Sequence, residues 1–353
     1  MIKHRGVNYD VGTVMGGNWR PDYNPQTVER ELEIIKNDLH CNAVGISGKD
    51  IGRVMLTAEA ALSQGLEVRL NPADLTNQPP ESTLAYITEA AKATQRLHER
   101  YPGKVVFSVG GEFTLLMQGI VPGKTFMQRL QAAFSADYIK SPDRRNKPLN
   151  DFLGQTNKAV RAVFDGPVMY CSLVWEQVDW SPFDMIGVDH YWAEKIKDKY
   201  IDMVKPLFAY GKPVINTGFG FSTTTAPANG MASTLGNVDG LSLLLHQQPV
   251  IGRLIRPKLK VINERSETLQ AKRLIDNLKL VDKAGFSGAF MDMFIFPLRP
   301  YSDTPKYDLD RESSSLVKYF EGGRHGTTYP DMTWEPKESF KAVAEYYGKQ
   351  TED

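Results

Sequence analysis

Short runs of apolar and β-branched residues recur along the chain, and amphipathic stretches of roughly 12 to 20 residues alternate with them. The runs that read as strands are Gly6–Val11, Cys41–Ser47, Leu66–Asn71, Val105–Gly110, Pro167–Val174, Met185–His190, Pro213–Thr217 and Gly288–Phe294, eight in all. Between them lie stretches of helical spacing. Asn24-Pro25 opens the first with an N-cap residue and an N1 proline, and Val28, Leu32, Ile35 and Leu39 continue it on one face. The others are Ile51–Gln64, Glu81–Glu99, Leu149–Phe164, Lys195–Tyr210, Ser266–Ala284 and Pro336–Gly348; only Gln177–Phe183 is too short for a helix.

Eight strands alternating with about seven helices predict parallel strands covered by helices, and the closed (β/α)8 TIM barrel is the commonest such arrangement. The alternative, an open doubly wound sheet, normally carries a Gly-rich phosphate turn after its first strand. Gly12-Thr13-Val14-Met15-Gly16-Gly17 lacks both the required spacing and a following helix. No linker divides residues 1–353, so the expectation is a single TIM-barrel domain. Three connections are long, Phe113–Pro148, Phe221–Arg265 and Pro297–Glu335, and all three are expected at the C-terminal face of the barrel, where active sites of this fold lie.

Composition narrows the function. Lys plus Arg and Asp plus Glu are both 42, so no net field draws nucleic acid or an anionic membrane. No apolar stretch is long enough to span a bilayer, and the N-terminus runs directly into strand pattern, which predicts a cytoplasmic protein. Cys41 and Cys171 both fall in expected strands and read as small core residues rather than metal ligands, and no metal or other cofactor is expected. P-loop, zincin and nucleophile-elbow motifs are absent. The basic stretch Gln248–Ile262 reads as a solvated loop or as a surface for a small protein partner or carrier protein.

In a barrel, chemistry belongs to the strand ends. Asn8-Tyr9-Asp10 ends the first strand, Gly111-Glu112 the fourth, Trp175-Glu176 the fifth and Asp189-His190-Tyr191 the sixth, and Asp292 lies on the eighth. Acids interleaved with flat aromatic side chains suit a small sugar-like or polyol substrate. The catalytic candidates are therefore Glu112, Asp292, Asp189 and Glu176, with Tyr9, Asp10, Arg20, Trp175, His190, Tyr191 and Gly218 as binding candidates. Arg20, Lys49 and Arg69 are the cations near the first three strands that could receive an anionic group.

Four segments carry a resemblance: Arg5-Gly6-Val7-Asn8-Tyr9-Asp10-Val11-Gly12, Asp38-Leu39-His40-Cys41-Asn42-Ala43-Val44, Gly119-Ile120-Val121-Pro122-Gly123 and Trp334-Glu335-Pro336-Lys337. The chain resembles bacterial proteins labelled "abortive infection protein", which are in turn similar to clan A glycoside hydrolases. That resemblance implies a TIM barrel with an acid/base Glu at the end of strand 4, which falls on Glu112, and a nucleophile Glu at the end of strand 7. There the chain departs: Thr217-Gly218-Phe219-Gly220 puts glycine where the resemblance implies the nucleophile. Double displacement needs a second carboxyl about 5 Å from the first. Open readings are a binding protein on a hydrolase scaffold, an inverting or substrate-assisted glycosidase, a ring-forming enzyme whose substrate supplies the nucleophile against a sulfate or phosphate leaving group (aziridine-type cyclisation), or a substitution introduced at position 218.

Overall fold

The structure, a computed structural model, describes residues 1–13, 17–21, 23–73, 77–230, 237–246 and 254–350. Eight parallel strands close on themselves in chain order: β1 (His4–Asp10), β2 (Ala43–Gly48), β3 (Glu67–Pro72), β4 (Val105–Gly111), β5 (Val168–Leu173), β6 (Met185–Asp189), β7 (Val214–Phe219) and β8 (Gly288–Met291). Closure is the pairing of β8 back onto β1, Gly288 opposite His4 through Met291 opposite Val7. The predicted barrel is the observed one.

Period-2 alternation separates two cores. Outward residues such as Val7, Tyr9, Val44, Ile46, Phe107 and Val109 pack against the helices in one large cluster. Inward residues Ala43, Met169, Cys171, Ile215 and Phe290 form a second, smaller cluster within the barrel. This apolar interior layer leaves the C-terminal ends of the strands free to carry polar groups above it.

Most boundaries move by one to three residues, as hydrogen-bonded ends do. Larger departures have local causes. Cys41 lies in the turn before β2 rather than in a strand, because the helix Pro25–Asn37 ends in a left-handed His40 whose next amide, that of Cys41, bonds Ile35 O at 3.1 Å. The helix expected from Leu149 begins at Asp143, and Pro148 sits inside its opening turns. The segment expected as one helix over Lys195–Tyr210 starts as a 3-10 turn, Glu194–Lys199, and becomes α-helical over Tyr200–Phe208. Of the three long connections, Phe113–Pro148 is mostly short helices, among them Phe126–Ala133 with a capping box built by Thr125 and Gln128. The stretch Gln248–Ile262 lies partly outside the described residues. Among the described residues no helix is long and apolar enough to cross a membrane.

The loops after β7 and β8 are fastened from beneath by a buried ion cluster. Lys337 is fully buried and its ammonium lies 2.8 Å from Asp310, while its other contacts are Thr223 Oγ1 at 3.0 Å and Ser315 Oγ at 3.3 Å. Arg265 reaches Asp310 at 2.8 Å and Asp308 at 3.2 Å. Removing one member of such a cluster strands the partner's charge in a medium that solvates it poorly. Lys337→Met is therefore expected to lower unfolding stability by roughly 3 kcal/mol, read from urea denaturation followed by circular dichroism. An unchanged midpoint would show that Arg265 alone suffices.

Candidate active site

Side chains from six strands meet in a cavity of about 220 Å³ at the C-terminal end of the barrel. That space suits a molecule the size of one sugar ring, below the usual range for drug-sized ligands. Its wall carries Asp10 from β1, Glu112 after β4, Asp189 from β6 and Asp292 after β8, with Tyr191 and Arg69.

Glu112 reaches the cavity by an irregular backbone. The β4–β5 register shifts between Ser108 and Gly111, Gly110 has φ of 133°, and Glu112 itself has φ of 52°. A non-glycine residue in that left-handed region costs on the order of 1–2 kcal/mol. The conformation is pinned by the Glu112 amide, which donates to Cys171 O at 2.9 Å, and by the helical turn that follows. Strain held in place at a carboxylate that faces a cavity is where function is to be sought.

Asp189 accepts from Thr217 Oγ1 at 2.6 Å and lines the same cavity wall as Glu112. Buried carboxyls gathered on one wall resist ionising together. Burial, then the negative charges of Asp189, Glu176 and Asp292, push the Glu112 carboxyl well above the ordinary range. Burial also raises Asp189, to about 7, against the stabilising bond from Thr217. Both carboxyls therefore hold a proton to higher pH than an isolated carboxyl does. Asp292 accepts from Asn8 Nδ2 at 2.6 Å and from the Tyr191 hydroxyl; burial raises it while these two donors and Arg69 pull it back. Asp10, raised to about 6 by burial, accepts the Gly12 amide at 2.6 Å.

Five of the residues expected around the pocket point elsewhere. Tyr9 alternates with the inward Asn8 and Asp10 and so faces the helices, where its hydroxyl donates to buried Glu31. Arg20 pairs with the same carboxylate at 2.7 Å, so its charge is already neutralised. Trp175 packs edge-on against Phe134 at 5.1 Å under the Arg145 guanidinium. His190 stacks on Tyr200 at 3.9 Å, and burial lowers it to about 4, leaving a neutral packing residue. Glu176 accepts from Leu173 N at 2.9 Å, Thr114 N at 3.1 Å and the Tyr170 hydroxyl at 3.1 Å. It lies behind Glu112 as a brace between β5 and the turn after β4, and does not line the cavity.

The place of a side chain at Gly218 is bounded by acids. A Cβ placed on Gly218 would stand 2.9 Å from Asp189 Oδ1 and 3.1 Å from Asp292 Oδ2, so two carboxyls from neighbouring strands already fill that space.

Lining residues outside the catalytic and binding candidates are Ser47, Asn71 and Thr217, together with Asn8 two residues before Asp10. The signal for them was polar residues repeated at spacing two within strands, Asn8/Asp10 and Arg69/Asn71, which places both members on the same face. Among the described residues no group of three or more His, Cys, Asp or Glu side chains is arranged to hold a metal ion.

No protein-family model and no curated protein matches the chain. Solved structures do resemble it. A GH113 β-1,4-mannanase is 14% identical with a TM-score of 0.59 over 99% of both chains. The GH113 β-mannanase AaManA from Alicyclobacillus acidocaldarius, in complex with ManMIm, is 14% identical with a TM-score of 0.57 over 99% of this chain and 98% of its own. A GH2 β-galacturonidase from Eisenbergiella tayi bound to galacturonate is 12% identical with a TM-score of 0.58, matching 99% of this chain to 51% of its own. At such identities the likeness is one of fold: the chain is a (β/α)8 barrel.

Proposed function

We propose that this protein is a general acid–base enzyme acting on a small polar, sugar-like molecule without a covalent enzyme intermediate, with Glu112 as the proton-transfer group. The observation that carries this reading is the gathering of Glu112, Asp189 and Asp292, all buried, on the wall of one cavity at the strand ends. Glu112, holding the proton, donates it to a leaving oxygen as the bond to carbon breaks. Asp292, whose carboxylate accepts from Asn8 and Tyr191 and faces Arg69, takes a proton from the attacking water. Each step moves one proton and needs no residue at position 218.

A second reading, intramolecular ring closure, is favoured by the acid-rich wall, since four carboxyls against one guanidinium attract a substrate amine. There the substrate nitrogen bonds to carbon, the carbon–oxygen bond to a sulfate or phosphate breaks with its electron pair leaving on oxygen, and the amine proton passes to Asp292. A carrier protein or small protein partner could present such a substrate. Location in the cytoplasm suits either reading.

Three outcomes check the proposal. Glu112→Gln, which keeps shape and one acceptor oxygen, is expected to lower turnover by about 10² to 10⁴ while ligand affinity by calorimetry changes little; unchanged turnover would remove Glu112 from the mechanism. Hydrolysis of aryl glycosides with retained anomeric configuration is expected to be very slow or absent, and Gly218→Glu to leave that unchanged, because the new side chain crowds Asp189 and Asp292. Rapid hydrolysis with retained anomeric configuration would refute this.

The third outcome concerns stability. A carboxyl whose folded pKa lies above its unfolded value near 4.3 leaves the native state with more bound protons above that pH, so stability falls as pH rises. Glu112→Gln removes this loss. Its stability relative to the natural protein is expected to increase from about pH 5 to about pH 8, measured by denaturant unfolding; a constant difference would show that Glu112 is ionised when folded.

A further inference from the structure

The acid–base reading leaves a buried guanidinium on the barrel axis without a task. Arg69 points inward from the middle of β3 and is 6% exposed. It fits because β2 presents Gly45 at that level: a Cβ there would stand 2.7 Å from Arg69 Nη2 and 2.2 Å from Asn8 Oδ1. The guanidinium lies over the Phe290 ring at 4.7 Å. Above it is the cavity of about 220 Å³, and below it a second space of about 30 Å³ within the apolar interior.

Its hydrogen bonds go to a thiol, an amide oxygen and a carbonyl. Nη1 donates to Cys171 Sγ at 3.1 Å, and Nη2 donates to Asn8 Oδ1 at 2.5 Å and to Thr217 O at 3.2 Å, while Nε has no acceptor. An amide whose oxygen is taken by a cation must turn its NH2 the other way. The Asn8 NH2 accordingly donates to Thr217 O at 2.9 Å and to Asp292 Oδ1 at 2.6 Å. The same Thr217 gives its hydroxyl to Asp189. One guanidinium thus orders the donors of two acids.

We infer that Arg69 is a positioning residue for the acid–base site: acting through Asn8, and as the one cation among the described cavity-lining residues, it fixes Asp292 in place and in its ionised form beside Glu112 and Asp189. The titratable groups lining the cavity with Asp292 are Asp10 from β1, Glu112 after β4, Cys171 from β5, and Asp189 and Tyr191 from β6 and its end. All of them are neutral or negative, so the compensation has to come from Arg69. This inference rests on the proposed function for its purpose, though its test needs no substrate.

The test is carbon-13 NMR titration of protein labelled at the Asp side-chain carboxyls, with the Asp292 signal assigned through Asp292→Asn. In Arg69→Met, which keeps the length and loses the charge, the Asp292 midpoint is expected to rise by about one pH unit or more; in Arg69→Lys, which keeps the charge but loses the fork, it rises less. Asn8→Ala removes the relay while leaving the cation, and is expected to raise the midpoint as well; it serves where Arg69→Met does not fold. An Asp292 midpoint within about 0.3 units of the natural protein's in every folded variant overturns the inference. That result alongside lost turnover in Glu112→Gln would refute the role of Arg69 and leave the enzymatic reading standing. A raised midpoint alongside unchanged Glu112→Gln turnover would do the reverse.

Discussion

Burying several carboxyls within a few ångströms of one another is opposed twice, by lost hydration and by mutual repulsion. At the mouth of this barrel both are met by a specific set of donors. Glu112 is pushed towards its protonated form, Thr217 gives a hydrogen bond to Asp189, and Asn8 and Tyr191 hold Asp292. Arg69 contributes the positive charge from below. The cavity keeps its shape only while these terms balance, so the protonation state of the pair and the geometry of the wall are one property.

The barrel makes this balance possible by geometry. Parallel strands in sequential order bring residues far apart in the chain to one ring of ends, and the pleat decides which of two neighbours joins it. Asp189 enters the cavity while His190 turns out to stack on Tyr200. Asn8 and Asp10 enter while Tyr9 turns out to meet Glu31. The irregular end of β4 aims Glu112 at the cavity outside the regular pleat, and there the chain adopts a left-handed conformation. Beneath the long loops, the cluster of Lys337, Asp310 and Arg265 ties residues after β7, after β8 and near the C-terminus to each other.

The resemblance to mannanases and related barrels concerns this frame. At the end of β7 a Cβ on Gly218 would press on the converging carboxyl oxygens of Asp189 and Asp292. The acids of the wall come from β1, from β6 and from the turns after β4 and β8.

The sequence by itself determined the architecture, because alternation of period two and helical periodicity are local properties that survive any arrangement of the rest. All eight strands, the long connections at the C-terminal face and the convergence of Glu112, Asp189, Asp292, Asp10 and Tyr191 were legible in that pattern. Tertiary structure decided which polar residues turn inward and whom they meet. Arg20 and Glu176 look like site residues in one dimension, yet a buried carboxylate from the first helix claims the former and backbone amides claim the latter. The inward path of Arg69 depends on Gly45 of the next strand. The empty place of Gly218 depends on two acids from β6 and from beyond β8, and no local pattern carries distances between strands.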